Sequence, residues 1–512
     1  MIPWARVRRA FRRETIGVDV AATLNLVGAL LKYLSLAFLF PIGVAIVYGE
    51  PILPFAVGGA ITGAVGVGLE RLTRGKEEVG TREGFLIVAL TWVFAAAAFS
   101  LPYVLSSEDQ LARPVDAFFE AMSGVTTTGA SVLTDVEALN HSLAMWRQFS
   151  QWVGGMGIIV LAIAVLPRLR VGGRQLFQSE LPGPTEMERL TVSIRETARR
   201  LWILYVGLTA LEAAFLAVIG WTGVDDELNL FEAVAHAFST MPTGGFSTQA
   251  RSIETFAPLS QWVIIVFIVA AGTNFALMYR ALLSHRPAAL PRDGEFRLYI
   301  GFLVMGSAVL LLELIRAGLF AGEEAIRTAV FQSATIVTST GFANADFNQW
   351  TSLTAMTLIA LMFVGGSAAS TGGGVKVIRH LVLAKTIRRE LDQTIHPEVV
   401  RLVHYNRRPI DERIVRSVIT FVLLYMLLFL IGALVITVES TRAGVPVTPV
   451  EAITASASTL GNIGPGLGFL GPMGSYEPFS DLAKVTMIAL MWLGRLEIIP
   501  IVALFTKAYW RA

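Results

Sequence analysis

Cysteine is absent from the 512 residues, which excludes disulfides, thiol catalysis and Cys-based metal sites. Charge is scarce: Asp, Glu, Lys and Arg make up 16% of the chain, against about 25% in ordinary soluble domains. The deficit is uneven, because long stretches carry no charge while Arg and Lys gather in short clusters. With 54% hydrophobic residues and a mean hydropathy of +0.62, this pattern excludes disorder, a coiled coil, a fibrous repeat and almost any soluble globular protein. A net charge of +2 is too small to argue for nucleic acid. No nucleophile–base pair, HExxH or Walker sequence is evident, so an enzyme is not expected. The basic N-terminus (Arg6, Arg8, Arg9, Arg12, Arg13) is not followed by a short apolar stretch and a small-residue cleavage site, so no cleavable signal peptide is expected. What is left is an all-α polytopic membrane protein embedded in the lipid bilayer. Glycine is plentiful, at 46 residues, which suits close helix packing in lipid and backbone that leaves the helix inside a membrane.

A spanning helix needs roughly 20 apolar residues. Ten stretches qualify: 24–48 and 52–69, joined by Gly49-Glu50-Pro51, then 83–105, 146–166, 200–221, 259–282, 296–319, an interrupted 353–383, 415–438 and 483–505. If the N-terminus is inside, segments 1–23, 70–82, 168–200, 280–297, 376–416 and 507–512 are cytoplasmic and hold 32 of the 41 Arg and Lys. The outer segments carry acids such as Glu108, Asp109, Asp225, Asp226, Glu227, Glu323 and Glu324. The positive-inside rule then predicts both termini in the cytoplasm.

After the first hairpin, each outer loop contains a short amphipathic stretch and then a burst of Thr, Ser and Gly. The short stretches are 114–125, 230–241, 325–337 and 449–460, and the four align without gaps on Gly129, Gly245, Gly341 and Gly464. Spacings of 116, 96 and 123 residues mark an internal repeat. The chain therefore divides into an N-terminal hairpin (1–80) and four helix–pore-loop–helix repeats (81–170, 171–285, 286–390 and 391–512), arranged pseudo-symmetrically around one central pore. Twelve helical residues reach about 18 Å, roughly half the hydrocarbon core, so each stretch reads as a re-entrant half-helix. Extended backbone at that depth must be buried or line a watery path. Four such loops around an axis can replace a cation's hydration shell with carbonyl oxygens, as a potassium filter does. A lone Thr/Gly-rich segment reads as an ordinary turn; four at matching positions do not. The expected filter is Thr127, Thr128, Gly129, Thr243, Gly244, Gly245, Ser339, Thr340, Gly341, Asn462, Ile463 and Gly464. Thr127, Thr128, Thr243, Gly244, Ser339, Thr340, Asn462 and Ile463 are expected to meet K+, which is the transported ion.

Five glycines in the ten residues from Gly365 to Gly374 make a poor helix, since each costs about 1 kcal/mol relative to Ala. A Gly-rich packing face is one reading. The other is an unwound gate loop across the pore, comprising Gly366, Ser367, Ala368, Ala369, Ser370, Thr371, Gly372, Gly373 and Gly374, with Lys376 marking the return to the cytoplasmic side. Arg495 lies within the tenth span, where an intramembrane Arg needs a partner or a cavity; it is expected in a structural ion pair, beside the gate, or both. Asp116, Glu120, Glu232 and Glu451 on the half-helices either concentrate cations or are solvated surface acids. His236 is expected to pack or hydrogen-bond.

Three motifs extend this reading. The run Gln151, Trp152, Val153, Gly154, Gly155, Met156, Gly157 and Ile158 resembles an element of the Trk/Ktr/HKT cation transporters. Residues 365–376 resemble that family's gate loop, and Trp492, Leu493, Gly494, Arg495, Leu496 and Glu497 resemble its arginine motif. The extra N-terminal hairpin resembles the longer TrkH-type membrane subunits rather than the shorter KtrB type. Asn462-Ile463-Gly464 departs from the other loops, and Ser367 and Ala369 differ from the gate pattern while remaining small. The resemblance implies potassium translocation across a bacterial inner membrane. It also implies a homodimer regulated by a cytoplasmic TrkA/KtrA-type ring that carries the nucleotide, with no cofactor covalently bound to this chain. Sodium- or proton-coupled symport is the alternative within the fold. A non-conducting sensor or scaffold and an intramembrane enzyme are rivals of other classes. Gly129, a serine in sodium-selective plant relatives, favours potassium.

Overall fold

The computed structural model describes residues 17–73, 75, 80–106, 109–160, 189–398, 401–406 and 408–511. The hairpin is α1 (Val20–Leu34), a 3-10 turn and α2 (Leu39–Tyr48), followed by α3 (Leu53–Leu72). Its two arms touch backbone to backbone at Gly28 and Gly66, where an added Cβ would stand 2.8 Å from the partner glycine's carbonyl oxygen. The turn residue Glu50 fastens the hairpin to the next unit by accepting the N–H groups of His141 (2.8 Å) and Ser142 (2.7 Å). Burial alone would raise the Glu50 carboxyl, but the hydrogen bonds from Ser142 and His141 outweigh it and hold it below its ordinary value.

Four units follow. The first holds α4 (Thr81–Leu105), α5 (Pro114–Val125) and α6 (His141–Val160); the second holds α7 (Arg189–Trp221), α8 (Leu230–Thr240), α9 (Pro258–Ala271) and α10 (Phe275–Leu282). The third holds α11 (Gly294–Arg316), α12 (Gly322–Val337), α13 (Ser352–Met362) and α14 (Val377–Ile395). The fourth holds α15 (Glu412–Ala443), α16 (Pro449–Gly461), α17 (Asp481–Arg495) and α18 (Ile499–Leu504). The short helices start where local chemistry dictates. Pro114 and Pro449 sit in the first turn, Asn229 caps α8, and Thr448 with Glu451 forms a capping box. In every unit the helix after the Gly loop packs on the half-helix of the following unit: α6 on α8, α9 on α12, α13 on α16, and α17 back on α5. The set closes on itself.

Among the described residues, six helices are each long and apolar enough to cross a bilayer, and the bent pair α9–α10 makes a seventh. Two spans expected to be continuous are broken by non-helical backbone. The stretch 259–282 breaks at Gly272, Thr273 and Asn274, and its halves diverge by 110°. Asn274 caps the second half by accepting the Leu277 N–H, which makes a separate helix start there. The stretch 483–505 breaks after Arg495, where Glu497 (φ 64°) and Ile498 (φ 52°) both take positive φ, which a β-branched residue adopts only under strong tertiary constraint. The interruption expected in 353–383 is present between α13 and α14. The part of 146–166 beyond residue 160 lies outside the described residues.

On the side of α14 and the start of α15, Arg389 bridges Glu412 (2.7 Å) and Glu390 (2.8 Å). Its hydrogen bond holds the Glu412 carboxyl below its ordinary value. The ring of units is closed by a different pair. Lys484 on α17 and Asp116 on α5 meet at 2.6 Å, and both are buried. Replacing Lys484 by Met leaves the buried Asp116 carboxylate with only the exposed Arg113, 3.6 Å away, and breaking a buried pair costs up to about 3–5 kcal/mol. The expected outcome is a lower melting temperature for detergent-solubilised protein, read by size-exclusion chromatography after heating. Most of the loss should return in Asp116→Asn/Lys484→Met, and a single variant that melts with wild type would remove this pair from the closure.

Candidate functional site

The four Gly loops share one backbone path. Two residues separated by one take positive φ in each: Thr127 and Gly129 (51° and 80°), Thr243 and Gly245 (56° and 81°), Ser339 and Gly341 (59° and 83°), and Asn462 and Gly464 (54° and 103°). The residue between them donates its N–H to a Ser or Thr carbonyl in the last turn of its own half-helix. Thr128 donates to Ser123, Gly244 to Ser239 and Thr340 to Thr335, each at 2.8 Å, and Ile463 donates to Ser458 at 2.9 Å. The chain can thus leave the helix in the buried interior without orphaning these groups.

The loops also meet one another in cyclic order. A Cβ on Gly129 would overlap the Gly244 carbonyl oxygen, one on Gly245 that of Thr340, and one on Gly341 that of Ile463; one on Gly464 would stand 2.7 Å from that of Thr128. Glycine is therefore required here for close approach as well as for φ. Gly129, Gly245 and Gly341 are partly exposed, while the other nine expected filter residues are buried. Each half-helix is also braced to its returning strand. Glu120 accepts from the Val132 N–H (3.0 Å), His236 Nε2 meets Ser247 Oγ (2.9 Å), the Gln332 amide donates to Asn344 (3.1 Å), and Thr454 Oγ1 accepts from the Leu467 N–H (3.1 Å). Both nitrogens of His236 are engaged, Nδ1 with the Glu232 carbonyl at 2.9 Å. Behind the first two loops Arg147 pairs with Glu120 at 2.8 Å, donates to the Ser247 carbonyl at 3.2 Å and lies over the Phe246 ring.

These contacts correct the expectation for the acidic residues. Asp116, Glu120, Glu232 and Glu451 are all buried, so they neither gather cations at a surface nor sit solvated. Each is consumed by structure, Asp116 by Lys484, Glu120 by Arg147, Glu232 by Thr248 and Glu451 by the cap of α16.

Residues 363–376 are not helical between α13 and α14 apart from isolated turns, and they lie against three of the Gly loops. Gly373 donates its N–H to Ser339 Oγ (2.5 Å), and a Cβ on Gly372 would stand 2.7 Å from the Thr338 carbonyl oxygen. A Cβ on Gly373 would overlap the Gly461 carbonyl oxygen, and Thr371 Oγ1 is 3.0 Å from that of Met241. The break between α9 and α10 holds the other side, since Ser367 donates to the Gly272 carbonyl (2.9 Å) and Phe275 to that of Ala369 (3.2 Å). Ala368 donates to Glu295 (2.6 Å). Two buried cations rest on this segment. Arg495 Nη1 donates to the Thr371 carbonyl at 2.8 Å, and the Lys376 ammonium donates to that of Gly372. Arg495 is the last residue of α17 rather than mid-helix, and Glu497 pairs with Arg379 instead.

Sequence reasoning missed Lys376 as a contact of this loop, the Gly272–Asn274 break that receives it, and the bracing by Arg147 and Gln151. The triplet Gly-Thr-Asn in an otherwise apolar span was the available signal for the break.

Residues 53–511 match the TrkH family, described as a cation transport protein. The chain is 38% identical to the Trk system potassium uptake protein TrkH of Salmonella typhimurium over 442 residues, 86% of this chain and 88% of that one. It is 36% identical to that of Vibrio parahaemolyticus over 497 residues, 96% and 99% of the two chains. The crystal structure of the potassium transporter TrkH from Vibrio parahaemolyticus superposes with a TM-score of 0.85 at 34% identity, covering 96% of this chain and all of that one. The chain is a multi-pass, mostly helical membrane protein that belongs to the TrkH family of cation transporters.

Proposed function

We propose that this chain carries potassium into the cell across the bacterial inner membrane, through a filter made of the four Gly loops. The observation that carries the reading is the cyclic contact of Gly129, Gly245, Gly341 and Gly464 with the neighbouring loops' carbonyls. Ten crossings, both termini cytoplasmic, arrange four repeats about one path. The oxygens of Thr127, Thr128, Thr243, Gly244, Ser339, Thr340, Asn462 and Ile463 serve the ion. The membrane potential supplies roughly 2.3 kcal/mol per elementary charge per 100 mV, so no chemical step is needed.

Residues 366–374 are the gate. With the loop beneath the filter the path is closed, and the charges of Arg495 and Lys376 add an electrostatic barrier. At an effective dielectric of about 20 a like charge a few ångströms from the path costs several kcal/mol. Opening withdraws the loop from Ser339 and from the α9–α10 break. The protein works as a homodimer under a cytoplasmic TrkA/KtrA-type ring that binds nucleotide and docks on the basic cytoplasmic segments, especially 388–416.

Three outcomes test this reading. Gly129→Ser places a Cβ against the Gly244 carbonyl and should lower potassium-over-sodium flux, measured as radioactive rubidium uptake in proteoliposomes with sodium competition; an unchanged ratio removes the filter. Deleting 368–373, or Arg495→Ala, should raise flux without any partner, each ~1.4 kcal/mol lost from the closed state giving a tenfold shift towards open. If flux stays at wild-type level in well-folded variants, the loop is not the gate. Reversing Arg407 and Arg408 to Glu should abolish co-purification with the regulatory ring, and intact binding would move the docking surface elsewhere.

A further inference from the structure

The residue just before the ring glycine is threonine in loops one and three, isoleucine in loop four and glycine in loop two. Backbone conformation does not demand the glycine, because Gly244, unlike its neighbours Thr243 and Gly245, is not among the residues with positive φ. Space does. The three nearest atoms to a Cβ on Gly244 are Oε1, Cδ and Nε2 of a single side chain, Gln151.

Each loop has its own backing at this point. Thr128 Oγ1 meets Thr126 Oγ1 at 2.8 Å, and Thr340 Oγ1 meets Thr338 Oγ1 at 2.7 Å. Ile463 packs over Gly461, where an added Cβ would stand 2.9 Å from its Cδ1. Loop two has neither device, since Pro242 and Gly244 stand where the paired threonines would be. There the fully buried Gln151 of α6 takes over. Its Nε2 donates to the Gly244 carbonyl at 2.7 Å, and its Oε1 accepts the Phe246 N–H at 3.2 Å. The two backbone partners fix which end of the amide is which. Ser239 Oγ also lies within hydrogen-bond reach of Oε1. One side chain from the first unit thus holds two points of the second unit's loop and one of its half-helix, and stands where the other loops carry their own side chains.

We propose that Gln151 is a selectivity-determining positioning residue, and that Gln151 and Gly244 act as one unit in which the amide replaces the missing loop side chain. The inference rests on the filter reading above. Without Gln151 the Gly244 peptide has no side-chain hydrogen bond, and the glycine is free to rotate it.

The test is rubidium flux with sodium competition in proteoliposomes for Q151A, G244T, the double variant and G129S, each confirmed monodisperse by size exclusion. The potassium-over-sodium ratio is taken within each sample, so differences in protein amount cancel. Q151A and G244T should each lower the ratio, by roughly tenfold for the loss of one backbone-holding hydrogen bond. Q151A/G244T should recover part of the loss, because Thr then occupies the vacated volume. A wild-type ratio in Q151A beside a lowered ratio in G129S overturns the role of Gln151 and leaves the filter standing. Losses that simply add in the double variant overturn the shared-volume unit. A wild-type ratio in G129S overturns the filter reading and this inference with it.

Discussion

A peptide group taken out of water must find a partner inside the protein. This chain repeatedly leaves helical geometry in its interior, in four Gly loops, in residues 363–376, and at the breaks before Phe275 and after Arg495. The solution used in the Gly loops is the same each time. A half-helix ends, the chain turns through two positive-φ residues, and the middle N–H returns to a Ser or Thr carbonyl of the last turn. The remaining carbonyls are then free to face a neighbouring loop or an ion.

The same constraint explains the buried charge. Glu120 with Arg147, Asp116 with Lys484, and Glu497 with Arg379 are pairs that stitch separate elements together. Breaking either of the first two would strand a charge where water cannot reach it, whereas the third pair is partly exposed. Arg495 and Lys376 differ from these. Their hydrogen bonds run to backbone carbonyls of a glycine-rich segment, which has low steric cost for alternative paths. A contact between cations and a glycine-rich backbone is consistent with the gate proposed for this segment.

The four loops are alike in backbone and unlike in support. Paired threonines back two of them, an isoleucine over glycine backs the third, and a glutamine from another unit backs the fourth. Similar backbone reached by different side-chain means is what a fourfold arrangement encoded by one chain permits, because each position is free to change if its neighbour compensates.

The sequence by itself determined the class of protein, the approximate helix ends, the register of the four half-helices, the ring glycines and the glycine-rich interruption. These are local properties: apolar run length, charge clusters, glycine frequency and spacing. Only the tertiary structure decided that the span 259–282 is bent at Asn274, that Arg495 ends its helix, that the acids of the half-helices are buried and braced, and that Lys376 rests on the loop it follows. It also showed why Gly244 is glycine, since Gln151 lies 93 residues away along the chain. Such facts depend on which elements meet across hundreds of residues, and no local pattern of hydropathy or propensity encodes the identity of the partner.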